Sequence, residues 1–130
     1  GVCQRGARVM LSKVVAVMIG AVVAPAALLF HTELKSSIPE RDSTVKGPPR
    51  EVVLTFTGKV NPKLSSITIL RPDSSNVMSL VIDTKAAGKE LHAPVTRPIP
   101  PGRYVVRWKT ASADGHVVRG AYSFSVDFVE

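Results

Sequence analysis

At 130 residues, 45% of them hydrophobic, the chain has room for one domain with a core and not for two. Its formal net charge is +7, from 17 Lys and Arg against 10 Asp and Glu. The one cysteine, Cys3, sits near the start, so the rest of the chain can form no disulfide and offers no thiolate as nucleophile or metal ligand.

In chain order, the first feature is Val14 to Phe30, which carries no charged side chain. Arg5, Arg8 and Lys13 precede it without an acidic residue, and Met10 is a candidate translation start. A positive segment followed by an apolar one has the pattern of an export leader. The 17 apolar positions lie at the lower edge of what spans a bilayer. Ala24-Pro25-Ala26 offers a small-residue cleavage pattern, which would leave Ala27 to Phe30 ahead of the domain. A cut directly before His31 would place the bulky Phe30 at the junction. Retention as a membrane anchor is the alternative. Cys3 lies ahead of the apolar run, unlike a lipid-anchor cysteine. The sequence therefore divides into a signal or anchor segment, 1–30, and a domain, 31–130. In either case the domain is expected outside the cytoplasm.

Removing Arg5, Arg8 and Lys13 leaves 14 Lys and Arg against 10 Asp and Glu, or +4, for residues 31–130. The cations are spread out, as Lys35, Arg41, Lys46, Arg50, Lys59, Lys63 and Arg71 show. There is no dense run and no interleaved aromatic platform, so the pattern speaks against nucleic acid. It fits a solvated, mildly basic surface.

The domain reads as strands and turns. Glu51 to Thr57 is rich in β-formers, and Ile67 to Leu70 alternates before the turn cluster Arg71 to Asn76. Val77 to Ile82 follows as a strand. Pro98 to Gly102 blocks helix. Arg103 to Lys109 is the strongest strand, with Tyr104, Val106 and Trp108 on one face and Arg103, Val105, Arg107 and Lys109 on the other. Val117 to Phe128 supplies the last strand, with Tyr122, Phe124, Val126 and Phe128 expected to share a face. No helical period is visible after residue 30. Short strands separated by Pro, Gly, Asn and Asp turns predict an all-β sandwich.

The chemistry concentrates in Ser112-Ala113-Asp114-Gly115-His116, between the two best strands. In an extended segment, Asp114 and His116 would project to the same side. Gly115 between them leaves space and tolerates unusual backbone angles. A carboxylate and an imidazole converging on one point suit divalent copper, and less specifically zinc or nickel. On spacing alone, an ordinary Asp-Gly turn beside an exposed histidine is the plainer reading. Neither a nucleophile elbow nor a glycine-rich phosphate loop is present. A histidine-brace copper monooxygenase would need a platform of exposed aromatics, whereas Trp108, Tyr104 and Tyr122 occupy core-like positions. The chain is therefore expected to be no enzyme.

Five blocks together resemble the CopC copper-resistance family. They are His31 to Pro39, Leu54-Thr-Phe-Thr57, Pro101-Gly-Arg-Tyr-Val-Val-Arg-Trp108, Ser112 to His116, and Gly120-Ala-Tyr-Ser-Phe-Ser-Val126. Their order and spacing match over about residues 31–128. The resemblance implies an Ig-like Greek-key β-sandwich of about seven strands. It also implies a periplasmic location, Cu(II) binding, and a CopD-type membrane protein as partner. By the same resemblance the metal ligands are His31, Asp114 and His116. In the family the histidine matching His31 is the first mature residue, so its free α-amine and imidazole chelate one ion. Imidazole and amine bind only when deprotonated, so affinity is expected to fall as pH drops through the histidine range.

Three features depart from the family pattern. The leader ends Leu28-Leu29-Phe30, and any cut other than before His31 removes the amine ligand. The family often has a glutamate after its second strand, where this chain has Gly58-Lys59. The domain has only Met78, so it lacks a methionine-rich Cu(I) site. His92, in Glu90-Leu91-His92-Ala93-Pro94, fits no metal motif. The competing expectation from another class is a metal-free Ig-like module, anchored by its leader and acting through a sheet face or edge.

Overall fold

The computed structural model describes residues 32–85 and 88–128. Those residues form eight strands: β1 Leu34–Ile38, β2 Thr44–Lys46, β3 Glu51–Val60, β4 Ser66–Leu70, β5 Asn76–Leu80, β6 Gly88–Pro94, β7 Gly102–Ala111 and β8 Val117–Asp127. A short 3-10 turn, Pro62–Leu64, links β3 to β4. One sheet has the order β1-β3-β6, and the other the order β2-β8-β7-β4-β5. All pairings are antiparallel except β2 with β8.

The alternation of apolar residues explains why the sheets face one another. Val52, Leu54 and Phe56 of β3 and Leu91 and Ala93 of β6 are fully buried. They meet Ile67, Ile69, Val106, Trp108, Tyr122 and Phe124 from the other sheet in one core. The edge of one aromatic ring marks the contact between sheets, with Phe56 and Trp108 at 5.1 Å and an interplanar angle of 72°. The all-β sandwich is as expected, and so is the burial of Tyr104, Val106 and Trp108.

Three details differ from the sequence reading. β1, β2 and β6 were not legible as strands, because two are short and mostly exposed and the third alternates only weakly. They raise the strand number to eight among the described residues. Phe128 does not join Tyr122, Phe124 and Val126. β8 ends at Asp127, the backbone N–H of Phe128 is held by the Asp127 carboxylate at 2.8 Å, and the ring is left 69% exposed. Val81 and Ile82 lie beyond the end of β5.

Gly120 is required by packing. It lies opposite Trp108 in the β7–β8 ladder, so both face the core. A Cβ at position 120 would stand 2.6 Å from Trp108 Cζ2 and 3.0 Å from Cε2. The indole is wedged against Phe56 and cannot yield without disturbing the other sheet. Gly120→Ala is therefore expected to destabilise the domain by about 1–3 kcal/mol, as overpacking does. Equilibrium denaturation followed by Trp108 fluorescence measures this, and an unchanged midpoint would contradict the packing argument.

Candidate metal centre

The loop between β7 and β8 is built as a tight hairpin connection. Gly115 N–H donates to Ser112 O at 2.9 Å, and Ser112 N–H donates to His116 O at 2.9 Å. Gly115 has φ of +89°, the left-handed region where a side chain is strained. This is the pattern of a three-residue loop that closes through a glycine bulge.

Asp114 and His116 do come together, but for a different reason from the one their spacing suggested. They are not successive same-side residues of an extended strand. The turn folds the Asp114 carboxylate back over the segment. Its Oδ1 accepts from the His116 backbone N–H at 3.2 Å and from the Ser112 hydroxyl. Its Oδ2 lies 2.9 Å from His116 Nδ1. Both side chains remain open to solvent, at 64% and 79% exposure.

The carboxylate is held ionised. The Ser112 hydroxyl is the largest influence and the His116 backbone N–H the next, and together they bring the Asp114 pKa from 3.8 to about 2. Hydrogen bonds to the charged form favour it. Because the folded value lies below the ordinary one, the stabilisation is fully present above pH 3.8 and is lost as pH falls toward 2.

The donor geometry fits a divalent ion. Two donors bound at about 2.0 Å and at a right angle lie roughly 2.9 Å apart. The 2.9 Å between His116 Nδ1 and Asp114 Oδ2 equals this and is also the length of an ordinary N–H···O hydrogen bond. The alternative is that the carboxylate orients the ring through Nδ1–H and leaves Nε2 for the ion. In both arrangements the pair supplies one or two ligands and needs others. Among the described residues no group of three His, Cys, Asp or Glu could complete the set.

His31 lies outside the described residues. Its neighbour Thr32 is inside them, and its surroundings are informative. A Cβ on Gly58 would stand 2.9 Å from Thr32 Oγ1. Glu33 N–H donates to Thr57 Oγ1 at 3.0 Å, and Thr57 N–H donates to Glu33 O at 2.9 Å. The described chain therefore begins along the last residues of β3. Two residues past Gly58, Val60 forms an isolated bridge to Ser112, and Asn61 N–H donates to Ala111 O at 2.9 Å. These contacts tie the end of β3 to the base of the Asp114/His116 turn. The Ser65–Thr110 hydroxyl pair, at 2.6 Å with Thr110 fully buried, fixes the same end of β7.

The remaining candidates fall elsewhere. Lys59 is exposed and forms no ion pair among the described residues. Met78 is buried, with Thr96 Oγ1 at 3.8 Å from its sulfur. His92 sits on the outer face of the three-stranded sheet, with Nε2 at 2.9 Å from Glu90 and Nδ1 at 3.5 Å from Glu51. Sequence reading missed the two glutamates around it. The spacing of Glu90 and His92 was a signal. The approach of Glu51 needed the β3–β6 register, in which Val53 faces His92.

The fold and the turn together define a small β-sandwich that presents a histidine–carboxylate pair at one end. A sequence model of the CopC domain matches residues 34–127, and the chain belongs to the CopC family. It is 34% identical to copper resistance protein C of Xanthomonas campestris pv. juglandis over 116 residues, covering 85% of this chain and 91% of that protein. It is 31% identical to protein YobA of Escherichia coli over 97 residues, covering 74% and 78%. Among solved structures, CopC from Methylosinus trichosporium superimposes with a TM-score of 0.71 at 35% identity, covering 77% of this chain and 97% of that one. PcoC, a methionine-rich copper resistance protein from Escherichia coli, superimposes with a TM-score of 0.60 at 31% identity, covering 75% and 100%.

Proposed function

We propose that this chain is a Cu(II)-binding carrier or sequestration protein of the cell envelope that serves copper resistance, with His31, Asp114 and His116 as ligands. The family supports copper resistance, through relatives that carry that name. The observation that carries the site is the Asp114/His116 pair, brought into contact on an exposed turn with its carboxylate ionised. The described chain begins at Thr32, beside the β3 end that is bridged to this turn. His31 immediately precedes it. Residues 1–30 act as the signal or anchor, and a CopD-type membrane protein is the partner for copper transfer.

In this reading each residue has a separate task. His116 gives a borderline nitrogen that suits Cu(II). Asp114 neutralises part of the ion's charge and fixes the ring. Gly115 keeps the approach open, since none of the described residues lies within 4 Å of where its Cβ would be. If processing exposes His31, its amine and imidazole add two nitrogens from one residue at small entropic cost. Copper is cargo, so exposure of the pair favours loading and release.

Proton release on Cu(II) binding tests these roles. An imidazole that carries a proton must lose it to bind a metal, so at about pH 5.5 binding is expected to release protons. Asp114 carries no proton there. His116→Ala is expected to release about one proton fewer than the parent. Asp114→Asn is expected to weaken binding by removing a carboxylate that has no proton of its own to release. Calorimetry in buffers of different ionisation enthalpy gives the number. A count unaltered by His116→Ala would overturn the assignment.

A further inference from the structure

The outer face of the five-stranded sheet carries a cluster of positive charge that the linear sequence conceals. Arg107 and Lys109 of β7 and Arg119 of β8 are all exposed. Lys109 is registered directly opposite Arg119, and Arg107 opposite Ala121. With Ser66 and Thr68 of β4 they line a cleft of about 390 Å³. Like charges facing one another across a ladder are destabilising. The usual remedy, a carboxylate nearby, is missing among the described residues. Among the described residues the ion pairs involve only Lys46, His92 and His116 as cationic partners. Asp127, the acid on this side of β8, is at the far end and pairs with Lys46 at 3.5 Å.

We infer that this face docks an acidic segment of a partner protein, whose carboxylates are received by Arg107, Lys109 and Arg119. Charge complementarity selects this occupant. A small anion would need polar groups fixed at the floor of a pocket, whereas these cations are exposed and on flexible stems. An anionic membrane is recognised by clusters of about four to eight cations; Arg103, the fourth exposed cation of this face, stands four residues along β7 from Arg107, about 13 Å away, so only three are grouped at the cleft. Several carboxylates on one chain match the three cations at once, and the Ser66 and Thr68 hydroxyls can donate to them. Such complementarity sets encounter rate and orientation.

The placement bears on transfer of cargo. The Lys109–Arg119 pair lies two ladder positions from Ala111–Val117, where the Asp114/His116 turn begins. At about 3.3 Å per residue that is roughly 7 Å. A partner seated on the face would therefore stand beside the turn. This link to copper rests on the function proposed above, but the docking face does not. The test is run without metal, so the two can fail separately.

The probe is a hexaglutamate peptide, titrated calorimetrically into the full chain at low ionic strength. One variant is Arg107→Gln, Lys109→Gln and Arg119→Gln. Its control removes the same charge elsewhere, as Lys35→Gln, Lys85→Gln and Lys89→Gln. All six positions are exposed, and unchanged Trp108 fluorescence confirms folding. The expected result is binding by the parent and control, about tenfold weaker binding by the face variant, and loss in high salt. Equal weakening in both variants would overturn the proposal, as would absence of peptide binding to the parent. Inorganic phosphate binding as tightly as the peptide would identify a small-anion site instead. Phosphatidylglycerol vesicles that lose binding to the face variant, while the peptide does not, would identify a membrane surface.

Discussion

Replacing His116 with alanine is expected to lower Cu(II) affinity by about a hundredfold or more, because it removes a ligand rather than a supporting contact. Replacing Asp114 with asparagine is expected to cost about 10- to 100-fold, in the range of lost orienting partners. The difference in size follows from the turn. Asp114 Oδ1 is occupied by Ser112 and the His116 backbone, and Oδ2 faces His116 Nδ1. Asparagine keeps an acceptor for the backbone N–H but loses the charge. The single tryptophan, Trp108, sits on the strand that leads into this turn, so its quenching provides a titration signal. Equal affinities for the parent and His116→Ala would place the site elsewhere.

Trp108→Ala is expected to be the most damaging core substitution, at about 3–5 kcal/mol. The indole is 94% buried by its 6% residual exposure, meets Phe56 edge-on, and fills the space that Gly120 leaves vacant. Its Nε1–H is buried and has no partner among the described residues. The loss is therefore one of packing and not of a hydrogen bond. With total stabilities of about 5–15 kcal/mol for domains, a loss of this size leaves little margin. Urea denaturation of Trp108→Ala, followed by far-ultraviolet circular dichroism, measures it. A change below about 1 kcal/mol would mean that the two sheets close over the gap.

The long central strands were legible in the sequence because burial on one face imposes alternation. Tyr104, Val106 and Trp108 could be assigned to the core from their period alone, and they occupy it. β1, β2 and β6 could not be read in the same way. Their side chains are largely exposed or half-buried, and their pairing is decided by partners distant in sequence. Phe128 shows the opposite failure. The period continued one step further than the ladder did, and the ring ended outside.

The site was legible in composition but not in conformation. Asp114 and His116 stood out as a donor pair, yet the physical cause of their convergence is the Gly115 turn and its Ser112 contacts. Ser112 itself gave no signal beyond its place in the string. The basic face shows the same limit on a larger scale. Arg107 and Lys109 share a strand face by their period, but Arg119 joins them only through the β7–β8 register. His31 was legible only through family resemblance, and it lies outside the described residues.

Pulsed electron paramagnetic resonance of the one-to-one Cu(II) complex tests the central claim most directly. With histidine labelled by nitrogen-15, the proposed site predicts coupling from two imidazoles, those of His31 and His116. His116→Ala should remove one of them and leave the other. A complex whose nitrogen couplings are identical in the parent and in His116→Ala would contradict copper binding at the β7–β8 turn.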